Sequence, residues 1–233
     1  MAGWACPSGQ LCSRCKSFFA KEVWTHMKFE KQAETKTPIH ELLARRWSTV
    51  AFSERPVEQE KLLSILEAAR WAPSSRNEQP WAYVVARKED PQNFEALLGV
   101  LVSANRLWAR NAPVQILTLA HTQLEKDGTP NRHGFYDLGQ ATTNLVTQAT
   151  SLGLSTHQMG GFDVEAARTR FHIPAGWEPV SVIALGYRAE PETLPEQLRG
   201  REMGQRSRKP LKSFVFSGNW GIPASIIESN GSK

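Results

Sequence analysis

The segment DLGQATTNLVTQATSLG, residues 137–153, constrains this chain more than any other. Its apolar residues Leu138, Ala141, Leu145, Ala149 and Leu152 fall on one helical face, and Gly153 supplies a C-terminal stop. A helix this long with a single apolar stripe must bury that stripe, so it is expected to be the central helix. The run VQILTLA, 114–120, lacks the alternation of a half-exposed strand and reads as a central strand. VSVIALGY, 180–187, reads as another strand, and so does WAYVVA, 81–86, with Trp81 turned into the core.

Further helices surround these segments. Thr37 and Pro38 offer a cap and a first helical residue before IHELLARR. In VEQEKLLSILEAARW, residues Leu62, Ile65, Leu66 and Ala69 share a face. FEALLGVL, 94–101, is a short helix, and Asp163 caps another over VEAARTRF. SANRLWARNAP, 103–113, reads as irregular. Interleaved helices and strands make an α+β or mixed α/β domain. Neither GxGxxG after a strand nor GxxxxGK[ST] occurs, so a phosphate-bearing ligand would be held by side chains rather than by a glycine cradle.

Composition narrows the class. The chain has 233 residues, 40% hydrophobic and 22% charged, as expected of a globular protein with one principal domain. No stretch approaches the roughly eighteen apolar residues of a membrane span, and the first residues lack a secretory apolar run, so a cytoplasmic protein without membrane partners is expected. Cys6, Cys12 and Cys15 cannot form a closed disulfide framework. The Cys12–Cys15 spacing with His26 is only half of a zinc pattern, so no metal site is expected. Residues 1–36 read as a poorly ordered extension and linker, and 37–233 as a single domain.

The formal charge is +5, and its cations cluster in RGREMGQRSRKPLK, 199–212. Such a run is either a solvated basic face or a phosphate site; a nucleic-acid partner would rest on charge alone and is not expected. A second polar concentration, APSSRNEQPW at 72–81, carries more hydrogen-bonding capacity than a turn requires.

Taken in order, ARRWSTVAF, the PSSxNxQPW loop, an Asn followed by Trp and Ala-Pro, a helix opening Asp-x-Gly, HQMGGFD, a strand ending Gly-Tyr, and RSRKPL resemble the nitroreductase family of FMN oxidoreductases from about Thr37 to Gly221. The resemblance implies an α+β nitroreductase-like fold: a mostly antiparallel sheet flanked by helices, in an intertwined homodimer, with the tail FVFSGNWGIP wrapped on the partner. It also implies that Arg45, Arg46, Trp47 and Ser48 belong to the FMN site. Arg46 and Ser48 would approach the phosphate from one part of the chain, and Arg206 and Arg208 from another. Arginine suits that task because its planar fork makes paired, charge-assisted bonds to a dianion.

By the same resemblance Pro73, Ser74, Ser75 and Asn77 line the flavin from the partner subunit, and Asn105 bonds the pyrimidine end. Met159, Gly160 and Gly161 lie beside the flavin N5, where glycine lets backbone approach closely; for Met159, ordinary core filling is an equal reading. The implied activity is hydride transfer from NAD(P)H through tightly bound FMN to a nitroaromatic, quinone or similar small-molecule acceptor, in ping-pong order. It needs no protein nucleophile and no metal. A flavin reductase or a flavin-binding module without turnover are the alternatives. Many relatives place a cation where this chain has Val50, and some where it has Trp108; Arg76, inside the loop, is the candidate substitute for stabilising reduced flavin.

Overall fold

The computed structural model describes residues 29–228, so the expected extension apart from residues 29–36 lies outside them, together with Cys6, Cys12, Cys15 and His26. These residues fall into two compact units divided between Met203 and Gly204. The first unit contains helices α1 (Glu41–Arg45), α2 (Gln59–Arg70), α3 (Pro91–Val100), α4 (Ser103–Ala109), α5 (Gly134–Ser151), α6 (Val164–Arg170) and α7 (Glu196–Met203). Its strands are β1 (Trp81–Arg87), β2 (Val114–His121), β3 (Ser155–Met159) and β4 (Trp177–Gly186).

The four strands form one antiparallel sheet in the order β1-β2-β4-β3. β2 is central, and every residue from Val114 to Ala120 is buried, as its unbroken apolar run anticipates. Successive residues of the central pair serve opposite cores. Ile116 lies across from Ile183 and both join one cluster with Leu145 and Ile65; Leu117 lies across from Val182 and both join the other with Leu97 and Trp108. Hence α2 and α5 cover one face, while α3, α4 and α6 contribute to the other. The α2–α5 contact is sealed by polar bonds from Asn144 Nδ2 to the Ala68 carbonyl (3.2 Å) and from Gln148 Nε2 to Ser64 Oγ (2.9 Å).

Several boundaries differ from the sequence reading. α1 is capped by His40, whose Nδ1 accepts from Leu42 N at 3.2 Å, and not by Thr37. α4 occupies a stretch that reads as irregular; it is seven residues long and no side chain caps it, so its local signal is weak. β3 carries no strand signal in the sequence because STHQM is polar; edge pairing with β4 rather than an apolar pattern makes it a strand. Trp81 is half-buried against the α2–α5 core rather than enclosed by it. Asp163 caps α6 as expected, accepting from Ala166 N at 2.9 Å, and Gly153 ends α5 with φ 77°.

The second unit has little regular structure: a 3₁₀ turn at Leu211–Ser213 and the short α8 (Ser225–Glu228). A bridge pairs Phe216 with Pro223, and the Phe216 and Trp220 rings lie 5.0 Å apart.

Candidate active site

Immediately after α1 the chain becomes extended at Arg46 (ψ 124°). Extended backbone sends alternate side chains to opposite sides. Trp47 and Thr49 are buried, whereas Ser48 is exposed and Arg46 half-buried, with Arg46 Nη1 3.4 Å from Ser48 Oγ. A cation and a hydroxyl are therefore presented together. Arg45, also half-buried, ends the helix where the dipole favours a cation.

The inward side of this segment meets a buried carboxylate. Glu202, near the end of α7, is 3% exposed. It accepts from Trp47 Nε1 (2.9 Å), Thr49 Oγ1 (2.7 Å) and the Val50 amide (2.8 Å). His157 of β3 is also tied here, its Nδ1 2.7 Å from the Thr49 carbonyl and its Nε2 3.4 Å from Arg201. The carbonyl can only accept, so Nδ1 carries the proton and Nε2 faces the guanidinium as acceptor. Burial holds the His157 imidazole below its ordinary 6.5, and the charges of Arg201 and Arg46 act in the same direction; the bond to Thr49 and the charge of Glu202 oppose it.

β3 leads from His157 to Met159 and the Gly160–Gly161 turn. Asn105 of α4 donates to the Gly161 carbonyl (3.0 Å), which also accepts from Val102 N (3.1 Å). The two glycines differ in role. A Cβ on Gly161 would meet Asn105 Nδ2 at 2.8 Å and Val102 Cγ2 at 3.1 Å, whereas one on the exposed Gly160 would meet nothing within 4 Å. Gly161 permits the packing of the turn, and Gly160 leaves its outer side open. Met159 is 2% exposed and belongs to the core, which favours the packing reading of that residue.

The 72–81 loop is anchored on α5. Asp137, itself 1% exposed, accepts from the Ser75 amide at 3.0 Å. Ser74 Oγ accepts from Gln79 N (3.0 Å), and Gln140 Nε2 reaches the Pro73 carbonyl (3.4 Å). Arg76, Asn77 and Gln79 all have positive φ (56°, 60° and 50°), a conformation unfavourable for residues bearing a Cβ. Pro73, Arg76 and Asn77 are exposed. A depression of about 640 Å³ is lined by Asn77, Glu78, Gln79, Glu125 and Lys126.

Within the chain the expected site residues thus form three groups: Arg46 with Ser48, Asn105 with Gly161, and the loop on α5. The bond between Thr49 and His157 joins the first to the strand that ends at the second. Arg206 and Arg208 lie in the second unit, where burial and the neighbouring Arg208 charge both lower Arg206 from its ordinary value. Two cations crowded in this way suit an anion. Val50 and Trp108 are core residues, 1% and 0% exposed, and Trp108 stacks on Phe52 and lies 4.4 Å from the His157 ring.

Sequence reading missed Glu202, His157, Thr49 and Asp137. The one available signal for Glu202 is that it is an isolated acid within a basic run. Among the described residues no group of three or more His, Cys, Asp or Glu could hold a metal, and no helix is long and apolar enough to cross a membrane.

Comparison with known proteins is consistent in direction. The sequence model of the nitroreductase family matches residues 43–187, ending before Glu202, Arg206 and Arg208. A protein of Methanothermobacter thermautotrophicus whose name pairs NADH dehydrogenase with NAD(P)H nitroreductase is 34% identical over 182 residues, 73% of this chain and 90% of the relative. A solved structure described as an oxidoreductase containing FMN aligns with a TM-score of 0.77 at 32% identity, covering 83% of this chain and 98% of its own. A nitroreductase family protein from Clostridium difficile 630 aligns with a TM-score of 0.57 at 27% identity, covering 73% and 92%.

Proposed function

The chain belongs to the nitroreductase family, and on that premise we propose that it is an FMN-dependent, homodimeric NAD(P)H oxidoreductase of the cytoplasm. The observation that carries this reading is the likeness, along 83% of the chain, to an oxidoreductase containing FMN. The residues present fit such a group. Arg46 and Ser48 offer a cation and a hydroxyl side by side for a phosphate, and the exposed Gly160 leaves backbone open to a flat ring. Bound FMN would supply the redox chemistry, which is hydride transfer from NAD(P)H and electron delivery to a nitroaromatic or quinone.

The protein's share is binding and orientation. Arg46 and Ser48, with Arg45 and Trp47 behind them, hold the phosphate end; Arg206 and Arg208 are assigned to the same phosphate on their sequence motif alone. Asn105 holds the Gly160–Gly161 turn, whose backbone rather than a mobile side chain would lie beside the reacting edge of the ring. Pro73, Ser74, Ser75 and Asn77 would reach the ring of the partner's cofactor, from a loop anchored by Asp137. In the ping-pong order proposed, reductant and acceptor would occupy the same face of the ring in turn.

Initial rates with NADPH and menadione varied together test this reading. Parallel double-reciprocal lines are expected. Bound flavin with no oxidation of NADPH or NADH would favour a flavin-binding module, and saturation by free FMN as acceptor would favour a flavin reductase.

A further inference from the structure

We propose that Glu202 is a positioning residue for the phosphate end of the cofactor site, acting through the backbone it pins and not through contact with ligand. The inference rests on the reading of Arg46 and Ser48 as phosphate partners. Burying a carboxylate is unfavourable, and an apolar side chain of similar volume would hold α7 against the core at least as well. Glu202 is nevertheless 3% exposed, and its three donors, the Trp47 indole, the Thr49 hydroxyl and the Val50 amide, all come from four consecutive residues. Nothing else in the described chain holds that stretch at so many points.

The consequence for the outward side is geometric. Over residues 46–49 buried Trp47 and Thr49 alternate with half-buried Arg46 and exposed Ser48, before the buried run Val50–Phe52, and a slip of one residue would exchange the two sets. Three bonds to one carboxylate fix the phase of this alternation. The indole and hydroxyl bonds select which residues point inward, and the amide bond fixes the segment lengthwise. Neighbouring contacts act with it: His157 bonds the Thr49 carbonyl and faces Arg201, the residue preceding Glu202, while Arg188 lies 4.0 Å over the Trp47 ring. Replacing the carboxylate by a carboxamide keeps its volume but turns an NH₂ group toward at least one of the donors.

The test compares flavin ligands with and without phosphate. The full chain, stripped of flavin, is titrated with FMN and with riboflavin by fluorescence, for the natural sequence, Glu202→Gln, Arg46→Ala and the double variant. Glu202→Gln is expected to raise the FMN Kd about tenfold while leaving the riboflavin Kd within about twofold. The double variant should be little weaker than Arg46→Ala alone, because Glu202 acts through the residue already removed. Equal weakening of both ligands, or additive effects, would show a general scaffold role and overturn the proposal.

Unchanged discrimination in Glu202→Gln alongside lost discrimination in Arg46→Ala would overturn it while leaving the phosphate assignment intact. If the natural chain itself binds riboflavin as tightly as FMN, the phosphate assignment fails, and the proposal with it. Should Glu202→Gln not fold, Thr49→Val removes one of the three bonds and is expected to raise the FMN Kd about threefold, again without change for riboflavin; no selective effect would overturn the proposal.

Discussion

Gly160 and Gly161 are adjacent and identical in chemistry, yet only one of them has a neighbour where a side chain would go. Gly161→Ala should push Asn105 aside and lower stability by about 1–3 kcal/mol, the usual range for overpacking. Gly160→Ala should leave the melting temperature unchanged but weaken FMN binding, since its Cβ would occupy the side proposed for the ring; melting curves and flavin titration of the pair check both. His157 gives a second residue-level expectation. Its folded pKa lies below 6.5, so under mildly acidic conditions the unfolded chain binds the extra proton more readily than the folded one. This contribution to stability is therefore present above about pH 6.5 and lost as pH falls through the folded value. A melting series between about pH 7.5 and 5.5 should fall less steeply for His157→Gln, and an identical slope would remove His157 from the account.

At this scale the sequence shows which side chains are chemically apt but not which are held. Arg46, Ser48, Asn105 and the glycines stand in recognisable motifs. Glu202 does not, because the Val50 amide it binds is 152 residues away and no local pattern records such a contact.

Among the described residues, three of the four non-glycine residues with positive φ, Arg76, Asn77 and Gln79, lie in the 72–81 loop. Relieving the left-handed conformation of Arg76 by glycine gains roughly 1–2 kcal/mol, against roughly 0.5–1 kcal/mol of added unfolded-state entropy. Arg76→Gly should therefore be at least as stable as the natural chain, by up to about 1.5 kcal/mol. If Arg76 also stabilises reduced flavin in place of a cation at Val50 or Trp108, the same variant should show a more negative flavin midpoint potential; an unchanged potential would remove that role. The burial of Val50 and Trp108 sharpens the test, since neither position is available to an exposed cation here. The elements themselves were unevenly legible. β2 and α5 declared themselves by an unbroken apolar run and a long stripe, whereas α4 is short and uncapped by any side chain, and β3 is a polar edge strand defined by its pairing.

For the whole molecule, the arrangement of the groups bears on assembly. Exposed Trp71 lies at the end of α2, just before the loop, and exposed Phe135 and Tyr136 open α5, which anchors it. Apolar surface at both supports of a polar loop is what a subunit contact would cover. If the loop serves the partner's cofactor, subunits carrying Arg46→Ala and Asn77→Ala should complement each other. A mixed dimer would contain one site with both defects and one with neither. Equal mixing after dissociation should then restore about a quarter of the natural activity, because half the dimers are mixed and each has one sound site of two. No recovery would place loop and arginine in the same protomer's site.

On the proposed function, this chain binds FMN and uses it to oxidise a nicotinamide. The absorbance spectrum of the purified protein, or of the protein mixed with FMN and freed of excess, recorded before and after addition of NADPH under argon, reads both properties at once. A protein-bound flavin spectrum that bleaches on addition is expected. A colourless protein that takes up no FMN would contradict it.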